Sequence, residues 1–403
     1  MKQLMISIGL VLLSAAMQSQ VKLRKELSPL PPMGWMTWNL YGERIDEALI
    51  RKVADAMEST GMAAAGYRYL IIDDGWQGGR DKKNNIIADP VKFPSGIKAL
   101  ADYVHAKGLK LGIYSDAAPL TCAGYTASLN FEEQDARTFA SWGIDYLKYD
   151  YCNAPEDSNT AKQRYTTMAN ALTKSGRDIV FGICEWGGRK PWFWASNAGG
   201  SVWRTTGDIR DKWKAKPGTD GEGIMDIVAV NGSLDAYAGS GRWNDPDMLV
   251  IGLYGAKGPS SDLGGIGCND TEYQSQMSLW SMMAAPLIAT NDITTMNEAT
   301  KRILLNPEVI AINQDAAAIQ AKRIRRDAQW EIFLKPLDGG DYALAVLNVT
   351  ETEQPYNFST EDLGLAAGFV IRDCWEHRLT GKKNKWSGKI AAHETKLFRL
   401  IKK

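Results

Sequence analysis

The sequence predicts an α/β protein, a (β/α)8 TIM barrel followed by a C-terminal antiparallel β-sandwich domain. Three observations lead there. Short apolar runs recur through residues 30–292 at intervals of about 20–40 residues. The segments between them carry the 3.6-residue period of amphipathic helices. Beyond Ile312 the pattern changes to short strands separated by turns.

The apolar runs cover residues 33–38, 69–73, 109–114, 146–150, 179–184, 202–204, 243–245 and 287–290. Between the first two, residues 45–62 place apolar side chains at 49, 50, 53, 57 and 62, one face of a helix. Residues 97–105 and 139–142 lie in comparable connecting segments. A doubly wound open sheet would use fewer strands, and no glycine-rich phosphate loop follows the first run. After Ile312, residues 330–335, 342–349, 368–375 and 396–400 read as strands. Turns are expected at Asp338-Gly339-Gly340 and Gly381-Lys382. The basic stretch 322–326 reads as a solvated joint. The expected division is 21–312 for the barrel and 313–403 for the β domain.

Residues 1–20 read differently. Met1-Lys2 opens a short positive region and an apolar run covers residues 4–17. Ser14, Ala15 and Ala16 then precede the polar Gln18-Ser19-Gln20. The pattern predicts a secretory signal peptide cleaved near Gln20. The run falls short of the roughly 20 residues a membrane span needs. No cysteine follows it, so lipidation is not expected. Export to the periplasm or the extracellular space is expected, with no membrane span in the mature chain.

Composition narrows the function. The 403 residues carry 47 Lys+Arg and 47 Asp+Glu. With no basic excess, nucleic acid is not an expected partner. Hydrophobic residues at 44% and charged residues at 23% suit a globular chain. The 14 Trp and 15 Tyr supply flat amphipathic surfaces of the kind that sugars pack on. Five cysteines are too few for a disulfide scaffold.

Reacting groups of such a barrel sit at the C-terminal ends of its strands. The expected strand ends carry Trp38, Asp73-Asp74, Tyr114 with Asp116, Lys148 and Asp150, Glu185, Arg204 and Asp208, and Asp245 with Asp247. No histidine is among them. His105, His377 and His393 fall in a helix or the C-terminal domain, which argues against a histidine triad or a zinc site. Paired carboxylates with aromatic faces are what glycosidic cleavage needs: one carboxylate attacks the sugar carbon and another protonates the leaving oxygen. Any single Asp here would more often be a helix cap; their coincidence at strand ends is the signal. Lys148 and Asp150 lie two apart on one strand and so share a face. An ammonium there favours an ionised carboxylate.

The same segments carry a family resemblance. Pro31-Pro32-Met33-Gly34-Trp35, Ile72-Asp73-Asp74-Gly75-Trp76, Lys110-Leu111-Gly112-Ile113-Tyr114-Ser115-Asp116, Thr121-Cys122-Ala123-Gly124, Leu147-Lys148-Tyr149-Asp150, Cys184-Glu185-Trp186, Trp203-Arg204-Thr205-Thr206-Gly207-Asp208-Ile209 and Trp243-Asn244-Asp245-Pro246-Asp247-Met248-Leu249 occur in this order. They resemble glycoside hydrolase family 27, the α-galactosidases and α-N-acetylgalactosaminidases, with the plant type most similar. The tail resembles that family's C-terminal β domain. The resemblance implies a retaining exo-α-galactosidase acting on α-galactoside oligosaccharides or glycans, with no metal or organic cofactor. Asp150 matches the nucleophile and Asp208 the general acid/base, whose environment should then raise its pKa. Asp73 and Asp74 match residues on the galactose 4- and 6-hydroxyls, and Trp38 the stacking wall. Lys148 and Arg204 match further hydroxyl-binding groups, and Tyr114 the pocket lining. Glu185 stands where the family faces the sugar 2-position; members accepting N-acetylgalactosamine carry serine there. Cys122 and Cys152 match a family disulfide.

Departures are few. Met36-Thr37 replace Asn-Ser of many members, so packing behind Trp38 must differ. Gly75 stands where animal members have cysteine, and Cys184 lacks its animal-type partner, so Cys184, Cys268 and Cys374 are expected to be free. Asp247 reads first as an acid holding backbone amides around Pro246. Within the family, the rivals are α-N-acetylgalactosaminidase and β-L-arabinopyranosidase; intact Asp73, Asp74 and Asp116 count against the latter. A carbohydrate-binding protein on an inactive barrel is disfavoured because Asp150 and Asp208 are both present.

Overall fold

The computed structural model describes residues 24–217, 221–256, 267–365, 368–382 and 384–402. The expected signal peptide lies outside the described residues. The barrel strands are β1 (Met33–Met36), β2 (Tyr69–Ile71), β3 (Lys110–Asp116), β4 (Tyr146–Asp150), β5 (Val180–Ile183), β6 (Val202–Arg204), β7 (Trp243–Asp245) and β8 (Leu287–Ala289). They pair in parallel, β8 beside β1 and the others in chain order to β7. A bridge between Leu249 and Ala289 joins the last edge, so the sheet curls into a barrel. Strands covered on both faces read as continuous apolar runs. Accordingly β1, β2, β5 and β8 are buried at every residue. Gly34 is required in β1, because a Cβ there would collide with the Tyr69 carbonyl.

The helix expected over residues 45–62 forms as Glu47–Ser59, started by Asp46, whose side chain accepts from the Leu49 amide. Helices Gly96–Ala106 and Glu132–Trp142 occupy the other connections noted in the sequence. One aromatic expected at a strand end sits elsewhere: Trp38 opens the short helix Trp38–Tyr41.

The C-terminal unit pairs β9 (Lys322–Arg326), β10 (Trp330–Pro336), β11 (Tyr342–Asn348), β13 (Phe369–Asp373), β14 (Arg378–Lys382) and β16 (Thr395–Lys402) in one antiparallel sheet, order β9-β10-β11-β16-β13-β14. A second sheet pairs β12 (Gln354–Ser359) with β15 (Lys385–Ile390). Trp330, Leu344, Ile371, Trp386 and Phe398 belong to the core of this domain. Two readings are corrected. The expected joint 322–326 is the edge strand β9, where exposed basic side chains discourage further pairing. Gly381-Lys382, expected as a turn, ends β14 instead, beside a register irregularity in its pairing with β13. The two domains meet along the helix Asp270–Met282: Trp375 Nε1 donates to Ser278 Oγ at 2.9 Å and Ser275 Oγ to the His393 carbonyl at 2.6 Å.

Candidate active site

Strand β4 sets the site. Its alternation turns Leu147 and Tyr149 outward, where Tyr149 packs on Tyr165 and Phe181, and turns Lys148 and Asp150 into the barrel mouth. There a cavity of about 130 Å³ is walled by Trp38, Asp73, Asp74, Tyr114, Cys122, Lys148, Asp150, Cys152, Trp186, Asp208 and Met248. Seven residues expected from sequence thus come together: Trp38, Asp73, Asp74, Tyr114, Lys148, Asp150 and Asp208. Glu185 and Arg204 do not reach this wall; they stand behind it.

Asp150 is oriented by two donors. The Tyr114 hydroxyl donates to its Oδ2 at 3.1 Å and the Tyr151 amide to its Oδ1 at 3.0 Å. Burial pushes its carboxyl up to about 6; the Lys148 ammonium opposes this and the Asp208 charge adds to it. Asp208, with 42% of its side chain exposed, lies 3.0 Å from Arg204 Nη2. Burial acts to raise its carboxyl, but the Arg204 guanidinium, Lys148 and Arg210 together hold it below the ordinary range. The raised acid expected from sequence is therefore not found, because Arg204 pairs with it directly.

Asp73 and Asp74 form a linked pair. Lys148 Nζ donates to Asp73 Oδ2 at 2.8 Å, and the Asp74 amide to Asp73 Oδ1 at 2.8 Å. Asp74 accepts from the Gly75 and Ala123 amides, each at 2.9 Å, while burial lifts it to about 6. Thr37, one of the departures from the family pattern, braces this pair: its Oγ1 accepts from the Asp73 amide at 3.0 Å.

Cys122 and Cys152 are disulfide-bonded, as the resemblance implied, and both sulfur-bearing residues line the cavity. Cys184, Cys268 and Cys374 are free and buried, also as expected. Asp116 lies behind the bridge, accepts from the Cys152 amide at 2.9 Å, and is pushed up to about 9 by burial and by Asp150. The oxygens of Asp116 and Asp150 and the two cysteine sulfurs lie within 4.8 Å of one another, but the sulfurs are spent on each other, so this group is not a metal cage.

Glu185 is fully buried. Its Oε2 accepts from the Arg189 amide at 2.8 Å and lies 3.3 Å from Arg189 Nη1, while Oε1 has no protein partner. Arg204 Nη2 donates to the Thr206 and Gly207 carbonyls at 3.2 and 2.8 Å, besides its two carboxylate contacts, Asp208 and Asp247. Asp247 also accepts from the Ile209 amide at 2.9 Å, in keeping with its expected role of holding backbone amides. Sequence reasoning assigned no role to Met248, which lines the cavity, or to Arg189. The spacing of four between Glu185 and Arg189 was the available signal for the second.

Comparison with known proteins agrees with this fold. The family model described as Alpha galactosidase A matches residues 30–315, and that of the Alpha galactosidase C-terminal beta sandwich domain matches residues 327–400. An alpha-galactosidase A of Cellvibrio japonicus is 43% identical and the alignment covers 99% of both chains. An alpha-galactosidase of Oryza sativa is 42% identical over 92% of this chain and 85% of its own. The crystal structure of alpha-galactosidase I from Mortierella vinacea matches with a TM-score of 0.87 at 36% identity, covering 94% of this chain and 98% of that one. Barrel and β-sandwich coincide with these relatives, and the chain belongs to the α-galactosidase family of glycoside hydrolases.

Proposed function

We propose that the protein is a retaining exo-α-galactosidase in which Asp150 is the nucleophile and Asp208 the acid/base. The observation that carries this reading is the placement of both carboxyls on one small cavity whose wall also offers Trp38 and the Asp73, Asp74 and Lys148 cluster. A galactose ring packs against Trp38 and presents its hydroxyls to that cluster. Asp150 attacks the anomeric carbon while Asp208 gives its proton to the departing oxygen, leaving galactose bonded to Asp150. Water then replaces the leaving group, Asp208 takes its proton, and the sugar–Asp150 bond breaks. The half-exposed Asp208 loses water contact when the sugar closes the cavity, which raises its pKa toward the protonated form the first step needs.

Export is proposed alongside, supported by the leader-like residues 1–20 and by a disulfide at the site mouth. Turnover of an aryl α-galactoside, with proton NMR of the fresh product, tests the activity and its stereochemistry together. α-Galactose first is expected; β-galactose first overturns Asp150 as nucleophile. Faster turnover of an α-N-acetylgalactosaminide or a β-L-arabinopyranoside overturns the galactose assignment.

A further inference from the structure

Asp247 follows β7 and lies off the cavity wall, yet its backbone is held at φ 75°, a left-handed conformation that side-chain-bearing residues rarely adopt. Three bonds fix it there. Its amide donates to Asp245 Oδ1 at 2.9 Å, its carbonyl accepts from Trp280 Nε1 at 2.9 Å, and its Oδ2 accepts from the Ile209 amide at 2.9 Å. The same Oδ2 lies 3.0 Å from Arg204 Nη2. Both partners of this carboxylate are also the immediate neighbours of Asp208: Ile209 follows it in the chain, and Arg204 Nη2 is its counter-ion at 3.0 Å.

We propose that Asp247 is the positioning residue of the acid/base: it fixes the Ile209 amide and the Arg204 guanidinium, and it takes a share of that guanidinium's charge which would otherwise fall on Asp208. The inference rests on the reading of Asp208 as acid/base. The charged and titratable groups around the pair are Lys148 and Asp150 on β4, Cys184 after β5, Arg210 in the loop after β6, and Asp245 on β7. Among the cations, Arg204 makes a direct contact with Asp208, and it divides one positive charge between two carboxylates. Strained backbone held by several bonds beside a reacting group is the pattern expected of a residue kept for function.

The charge argument has a definite sign. Neutralising Asp247 removes a like charge from the neighbourhood of Asp208 and leaves Arg204 undivided on it. Both changes favour ionised Asp208, so the acid is exhausted at lower pH. A poor leaving group needs that proton, whereas a dinitrophenolate departs without it.

The test is Asp247→Asn, with kcat/KM followed against pH on raffinose and on dinitrophenyl α-galactoside. On raffinose the alkaline limb is expected to move down by about one pH unit, roughly a tenfold loss on that limb. The dinitrophenyl substrate is expected to lose less than about threefold. An unmoved limb with equal loss on both substrates overturns the proposal, since a merely structural role predicts that result. Asp247→Glu keeps the charge and is expected to keep the limb in place; a limb shifted as far as in the Asn variant also overturns it. Should Asp247→Asn not fold, Asp247→Ser, whose hydroxyl still accepts from Ile209, reads the same limb. Asp208→Asn separates the two layers. Equal loss on both substrates there defeats the acid/base reading itself, whereas a leaving-group split with an unmoved Asp247→Asn limb defeats this inference alone.

Discussion

Lys148 is ion-paired with Asp73, at 2.8 Å between Nζ and Oδ2, rather than with Asp150, its neighbour two residues along the same strand. The ammonium thus builds the sugar-holding corner by contact and acts on the nucleophile only through space.

That division predicts an acidic limb in the pH profile. Asp150 must be ionised to attack, and its carboxyl is raised to about 6, so kcat/KM should fall as pH falls through about 6. Lys148→Met removes the opposing cation and should move this limb to higher pH, besides weakening substrate binding. A pH profile of both forms on an aryl α-galactoside checks it; a limb unmoved by the substitution contradicts the electrostatic assignment.

The two acids should separate by leaving group. Asp150→Ala should abolish turnover of every substrate. Asp208→Ala should retain glycosylation by a dinitrophenyl galactoside and lose it with raffinose, by roughly 10²–10⁴-fold, the usual range for a missing general acid. Burst kinetics distinguish the two variants.

Glu185 stands behind the cavity wall, but its buried Oε1 has no protein partner, so a sugar 2-hydroxyl that reached it would satisfy that acceptor. A hydrogen bond to a charged group contributes about 1.5–3 kcal/mol. Glu185→Ala should therefore lose about tenfold to a hundredfold on the galactoside and much less on its 2-deoxy analogue. Equal losses on the two would mean that Glu185 serves only to hold Arg189.

Lys335, on β10, is buried between the domains, where Nζ donates to the Ser281 and Ile312 carbonyls at 3.3 and 2.6 Å. Burial lowers its amine to about 7. The unfolded chain keeps this proton up to about pH 10.4. Between those values the unfolded state binds more protons, so stability should rise with pH by up to about 1.4 kcal/mol per unit. Lys335→Met should flatten that slope in denaturant titrations across the window.

Much of this was legible in the sequence, for a physical reason. Strands covered on both faces leave continuous apolar runs, so all eight barrel strands were located within a few residues, and residues 146–150 end where β4 ends. Acids at strand ends were visible because the barrel places every such end on one rim. Partnerships that depend on side-chain reach were not visible. Nothing in the spacing tells that Lys148 turns to Asp73 or that Arg204 grips Asp208, and the expected pKa of Asp208 had the wrong sign for that reason. The amphipathic strands β12 and β15 escaped notice because their mixed polar pattern resembles a loop.

The bridge between Cys122 and Cys152 gives the rim two mechanically unequal halves. From Asp73 to Asp150 the loops are riveted together, by the disulfide, by Ala123 on Asp74, by Cys152 on Asp116 and by Lys148 on Asp73. The half bearing Asp208 and Trp186 is joined to the first by a lighter tie, through Arg189, whose Nε donates to the Glu156 carbonyl at 3.0 Å and whose guanidinium lies over the Tyr151 ring. A chain changing its diet by mutation has room to reshape the side that meets the departing group, while the side that identifies the sugar resists piecemeal alteration. Diversification of aglycones around an invariant galactose is the evolutionary course this unequal stiffness favours.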